Sequence, residues 1–311
     1  MGPFRALEVI EERVRDQALC SYLVGFDIND EGISYYRMDP LVMKILSALH
    51  EFAYGVHEGE QTDNTQTLTK IVDAARSIYK IDEYQKVKDI YLNSGDLTDD
   101  VANKYLKRGE FGELILHLIL RDFHNTIPLL SKIYFKDSIG HTVHGFDAVH
   151  IDPVNKTLWL GESKLYLDPK RGVNDLINDV EEHFKADYLN AEFSLITKKI
   201  RHVQTSPDLE YWIDVLSAGG KLSDKLTKIN IPLLCTYSCD SFLKYDDEKS
   251  PDFSAYYKNK ILMLKKHFDE NFKHPLKNHL NVILMLFPVS NKIELVKKLH
   301  QKLSLIQQIG D

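Results

Sequence analysis

The sequence predicts an α/β fold, a mixed sheet flanked by helices, with a mostly helical N-terminal extension. Three observations carry this expectation. Apolar residues recur at helical spacing between Pro40 and Leu106. Residues 142–151 and 157–166 read as strands joined by the turn Asp152-Pro153-Val154-Asn155. Two late apolar runs, 229–236 and 281–287, alternate with helical segments, the pattern of parallel strands covered by helices on both faces.

Taken in order, residues 1–38 mix short β-prone pieces, at 21–26 and 33–36, with polar turns. Leu41, Ile45, Leu46, Leu49 and Phe52 then mark one helical face, and Leu68, Ile71, Val72, Ala75 and Ile78 a second. The polar run 58–67 links them. A third helix is expected over 82–92, stopped by Asn93-Ser94-Gly95-Asp96. After Gly109 the pattern changes to a strongly apolar helix over 110–123, a β-prone segment at 132–136, and the two strands about the 152–155 turn. Helical patterns follow over 172–199, 208–218, 256–272 and 292–309. The natural division is 1–106, helical and suited to binding a partner, and 107–311, the domain that carries the chemistry.

Composition narrows the class. With 43% hydrophobic and 27% charged residues the 311-residue chain is an ordinary globular protein, not a disordered one. Cys20, Cys235 and Cys239 are too few for a disulfide framework and read as buried thiols of a reducing compartment. No apolar run reaches the ~18 residues of a membrane span, and no signal peptide is evident, so the expected location is the cytoplasm, with no membrane partner. The net charge of −7 opposes tight unaided binding to nucleic acid. A cation among the acidic groups, or delivery of the substrate by another protein, offsets this.

The chemistry centres on Leu160-Gly161-Glu162-Ser163-Lys164, inside a segment that otherwise reads as a buried strand. Side chains two apart on a strand share a face, so Glu162 and Lys164 emerge together, following Leu158 and Leu160. A carboxylate and an ammonium on an apolar stripe are costly to bury, which places them where the sheet opens. Asp147 lies on the preceding strand. Equal arms about a turn centre near residue 154 set it opposite residue 161, one place short of Glu162. Two carboxylates converging on one cation suit Mg²⁺, with Mn²⁺ able to substitute, and a neighbouring lysine can orient or help deprotonate an attacking water.

The order of a helix Glu, a strand Asp and a strand Glu-x-Lys resembles the PD-(D/E)xK nuclease core of restriction and repair enzymes. Gly109-Glu110-Phe111-Gly112-Glu113 supplies the helix pattern, which assigns the third carboxylate to Glu113, with Glu110 one turn back as a second candidate. Phe146 stands where that family often has Pro. The resemblance implies a restriction-endonuclease-like sheet, catalysis by Glu113, Asp147, Glu162 and Lys164, and metal ligation by Asp147, Glu162 and Glu113. More closely, residues 109–116, Gly145-Phe146-Asp147 and Gly161-Glu162-Ser163-Lys164 resemble the HamA nuclease subunits of the Hachiman anti-phage defence system. That resemblance implies DNA as substrate and a helicase partner, HamB, that holds the nuclease silent until DNA is perturbed. Ala218-Gly219-Gly220-Lys221 is no P-loop, so the ATP-driven motor would belong to the partner.

Other readings attach to the remaining polar residues. Lys170 and Arg171 are placed to touch a backbone phosphate, and Lys198, Lys199 and Arg201 form the densest basic cluster. Lys292, Lys297, Lys298 and Lys302 add a basic closing helix. His141, His144 and His150 surround Asp147 and read as polar surface or phosphate-facing groups, since a shared metal site needs a strand bulge. Asp175, Asp179, Glu181 and Glu182 read as a solvated helix face. Two function classes remain: a nuclease effector of low sequence preference, and a nuclease-like module that binds and regulates a helicase without turnover. A sequence-specific restriction enzyme is the weaker third, because no DNA-reading motif is present.

Overall fold

A computed structural model describes residues 9–55, 64–78, 109–130, 145–200, 209–217 and 220–309. The chain opens with β1 (Ile10–Asp16) and β2 (Leu19–Val24), then a small hairpin of β3 (Phe26–Ile28) and β4 (Ser34–Tyr36). Helices α1 (Met38–Ser47), α2 (Leu49–Tyr54) and α3 (Thr67–Ile78) follow. Next come α4 (Glu110–His124), β5 (Ile127–Pro128), β6 (Ala148–Asp152), β7 (Thr157–Tyr166), α5 (Pro169–His183) and α6 (Ala186–Ile200). The remainder is α7 (Leu209–Leu216), α8 (Leu222–Leu226), β8 (Ile229–Ser238), α9 (Ser241–Lys244), α10 (Pro251–Asn271), β9 (Asn281–Val289) and α11 (Lys292–Gln308).

Seven strands form one mixed sheet in the order β1-β2-β9-β8-β7-β6-β5. The central pairs β2–β9, β9–β8 and β8–β7 are parallel, and the flanking pairs are antiparallel. β8 and β9 read as near-continuous apolar runs because helices cover both of their faces. One face carries a core that takes in α1, α2, α3, α4 and α11, and the other carries one built with α5, α6, α7 and α10. The predicted mixed α/β class and helical N-terminal region are therefore present.

Helix α4 is buried on nearly every side from Phe111 to Leu120, because it lies between the sheet and the N-terminal helices. It ends at Asn125, whose left-handed φ of 52° closes the helix. The β6–β7 turn is fixed by Asp152, whose Oδ1 accepts from the backbone N–H groups of Val154 and Asn155, each at 2.9 Å. Lys156, at φ 53°, turns the chain into β7.

Several boundaries differ from the sequence reading. β1 and β2 join the main sheet, β2 lying parallel to β9, so the first strands complete the sheet across the chain. The long helix expected over 172–199 is two helices, broken at Phe184 and Lys185 where Phe184 is fully buried. Helix α10 begins earlier than expected, at Pro251, with Ser250 capping the N–H of Phe253 at 3.2 Å. The expected helix 82–92 and strand 132–136 lie outside the described residues.

Candidate active site

The β6–β7 register brings the two strand carboxylates together. Asp152 pairs with Thr157 and each step inward leads to Ala148 opposite Gly161. The next step places Asp147 opposite Glu162. The sequence estimate was one residue short because the turn centre lies between residues 154 and 155, not at 154. Asp147 Oδ2 accepts from both the N–H and the Oγ of Ser163, at 2.9 and 2.8 Å. Its side chain thus reaches across to the strand that carries Glu162.

The two faces of β7 do different work. Trp159, Gly161, Ser163 and Leu165 meet α4. A Cβ on Gly161 would stand 2.8 Å from Leu116 Cδ2, and one on Gly112 would stand 3.0 Å from Ser163 Oγ. These glycines let α4 press against the strand. Glu113 follows Gly112 directly in the first turn of α4 and is half-buried, with Glu110 also half-buried at the helix start. The helix candidates therefore approach the strand from the α4 side, whereas Glu162 and Lys164 face α5.

On that second face α5 supplies partners the sequence reading missed. His183 Nδ1 lies 2.7 Å from Glu162 Oε1, and Asp179 forms an ion pair with Lys164. Asp179 and His183 are one turn apart on α5 and so reach the strand together. Asp175, a further turn back, accepts from the Tyr166 hydroxyl. Asp175 and Asp179 are therefore not merely a solvated face. His183 stacks on Tyr188 with centroids 4.8 Å apart, and Phe146 packs edge-on against His183, which gives the residue in place of Pro a structural role.

Burial, followed by the charge of Glu162, pushes the Asp147 carboxyl up to about 6. Burial likewise raises Glu162, against the pull of His183. Burial pushes the Lys164 ammonium down, but its hydrogen bond and ion pair with Asp179, aided by Asp147 and Glu162, carry it above its ordinary value. Lys164 is therefore a fixed positive charge here. The hydrogen bond to Glu162 raises His183 despite burial. Three carboxylates, Asp147, Glu162 and Asp179, thus surround one lysine and one histidine. Among the described residues each of the two opposed carboxylates uses one oxygen for protein donors, which leaves Asp147 Oδ1 and Glu162 Oε2 for a cation. Paired carboxylates that resist ionising together, each with a spare oxygen, are a donor set that fits Mg²⁺ or Mn²⁺.

The family model HamA matches residues 5–303 of the 311. The chain belongs to the HamA family. It is accordingly a nuclease-like protein associated with Hachiman defence. No match is found among curated proteins.

In this HamA-family chain the basic candidates are placed unequally. Lys170 and Arg171 are exposed in the first turn of α5, just beyond the end of β7, with Arg171 5.8 Å above the Tyr166 ring. Lys198 is exposed near the end of α6, more than one helix away in sequence. Arg201 and the side chain of Lys199 lie outside the described residues, as do His141 and His144. His150 is neither surface nor phosphate-facing. It is 2% exposed and bonds to His117 Nδ1 at 3.1 Å and Thr126 Oγ1 at 2.9 Å. On the closing helix Lys292 is buried and Lys298 pairs with Asp39 of α1 at 2.7 Å, so two of its four lysines serve the fold. Cys20, Cys235 and Cys239 are buried free thiols, as expected. No described helix is long and apolar enough to cross a membrane.

Proposed function

We propose that this chain is the metal-dependent nuclease effector of a Hachiman-type defence system, hydrolysing DNA phosphodiesters with little sequence preference under the control of a helicase partner. The observation that supports this best is the convergence of Asp147, Glu162 and Lys164 on two adjoining strands. Asp147 and Glu162 would hold the ion, and the family pattern adds Glu113, which comes from the α4 side, as the third ligand. A bound Mg²⁺ would polarise the phosphoryl oxygen and lower the pKa of a coordinated water. The chain's own groups have separate tasks. Lys164 keeps its charge beside both carboxylates, where it orients the attacking water or meets negative charge developing on the phosphate. Ser163 and His183 hold one oxygen of each carboxylate and so direct the other. Lys170 and Arg171 stand past the strand end, where a phosphate backbone would approach.

The chain's net charge of −7 fits delivery of DNA by a partner rather than capture from solution. The Lys164–Asp179 pair offers a resting state from which the lysine must be freed. We assign partner contact at least in part to the mostly helical N-terminal region, 1–106. The test is cleavage of plasmid and linear DNA with Mg²⁺ or EDTA, by wild type, Glu162→Ala and Lys164→Ala, with and without the helicase. Metal-dependent cutting lost in both variants and suppressed by helicase is expected. No cutting under any condition, including damaged DNA with helicase, would favour the non-catalytic regulatory module instead.

A further inference from the structure

A second polar cluster lies at the end of α4 remote from Glu113. Opposed and alternate residues of a strand pair share a face, so Glu12 of β1, paired with Tyr22, shares one with Tyr22 and Cys20 of β2. That face packs on α4, whose last residue is His124. A carboxylate oxygen of Glu12, the thiol of Cys20 and a ring nitrogen of His124 all lie within 4.8 Å of one another, the one such group among the described residues. We propose that Glu12, Cys20 and His124 bind a zinc ion that ties the β1–β2 hairpin to the end of α4.

The donor atoms and their surroundings support this. Arg15 Nε holds Glu12 Oε2 at 2.9 Å, while Glu12 Oε1 is buried and accepts no hydrogen bond. A buried acceptor without a donor is unfavourable, and a cation is the partner it lacks. Arg15 also donates to the carbonyl of Phe123, next to His124, so one guanidinium both aims the carboxylate and joins the two elements. The Tyr22 hydroxyl lies 2.9 Å from His124 Nε2. On metal binding that hydroxyl turns away from the ring nitrogen.

The mixture of sulfur, nitrogen and oxygen selects zinc over Mg²⁺, which takes hard oxygen ligands. Tetrahedral zinc with bonds of about 2.0–2.3 Å separates its donors by roughly 3.3–3.8 Å, so modest side-chain adjustment closes the site. Water would take the fourth position. Binding Zn²⁺ converts the Cys20 thiol to thiolate and releases one proton to solvent, with no change of oxidation state.

The site is separable from any nuclease activity, because the Asp147–Glu162 pair has no sulfur in its donor set. The experiment is Co²⁺ titration of metal-stripped full-length protein, followed by near-ultraviolet absorption. We expect a thiolate-to-cobalt charge-transfer band that saturates at one equivalent and is displaced by Zn²⁺. It should vanish in Cys20→Ser, persist in Asp147→Asn, and require at least tenfold more Co²⁺ in Glu12→Gln and His124→Gln. Circular dichroism checks that each variant is folded. Absence of the band in folded wild type, its survival in Cys20→Ser, or unchanged affinity in both Glu12→Gln and His124→Gln would overturn the assignment.

Discussion

Two buried polar clusters sit on opposite faces of the β6–β7 hairpin, and they differ in how their charges are settled. On the α4 face, His117 and His150 bond to each other and both are pushed down by burial, so they stay neutral. Nearby, Arg121 pairs with Glu51 and Asp122, and Lys44 with Asp122. Cations and anions match, and the cluster joins α1, α2 and α4. On the α5 face, Glu162 and Lys164 are already engaged with His183 and Asp179, and Asp147, opposite Glu162 at the strand end, adds a further carboxylate. A matched network holds a fold together. An unmatched one, with carboxylates resisting ionisation, is poised to bind a cation.

Substitutions should separate the two clusters. The largest effect is expected from Glu162→Gln, which removes one ligand charge but little volume. Metal charge stabilisation is worth several kcal/mol, so cleavage should fall by about 10³-fold or more in a variant that remains folded. Next, Arg121→Met should cost about 2 kcal/mol in urea denaturation without abolishing cleavage by the folded fraction. Fully buried pairs cost ~3–5 kcal/mol to break, but Arg121 and Glu51 are each 22% exposed. An activity loss in Arg121→Met at full folding would erase the contrast between the faces.

His183→Ala should weaken Mn²⁺ binding by roughly 10–100-fold through loss of the group that holds Glu162, and His183→Asn, which keeps a donor, should recover part of it. Equal affinities in wild type and both variants would leave His183 a packing residue. The smallest effect concerns stability. The unfolded Asp147 releases its proton near 3.8 and the native one near about 6, so metal-free protein loses stability as pH rises through that window. Asp147→Asn should remove the loss. Because Asp147 is partly exposed, the gain at roughly pH 8 should be about 1–2 kcal/mol, with little difference below pH ~4. A variant less stable than wild type at high pH would place the hydrogen bonds from Ser163 above carboxylate repulsion.

Much of the site was legible because strand alternation is rigid. Glu162 and Lys164 must share a face, and the short turn before Thr157 had to bring Asp147 close. The register error of one residue arose in the turn, where Asp152 hydrogen bonds and the left-handed Lys156 shift the centre by half a residue. Asp179 and His183 were hidden because a helical acidic run looks the same whether it meets solvent or a charged strand. Their i, i+4 spacing was the available signal. The union of β2 with β9 had no local signal, since a parallel pairing across more than two hundred residues leaves no mark on either strand. Ser250-Pro251, by contrast, is a helix-start signature legible in the sequence.

Asp147 and Glu162 should act as one cation site, and Mn²⁺ binding followed by electron paramagnetic resonance tests this without any DNA. Asp147→Asn, Glu162→Gln and the double variant should each lose the bound-ion signal, the double losing no more affinity than the worse single, because each carboxylate depends on the other. Strictly additive losses, or a wild type with no bound Mn²⁺, would contradict a shared site.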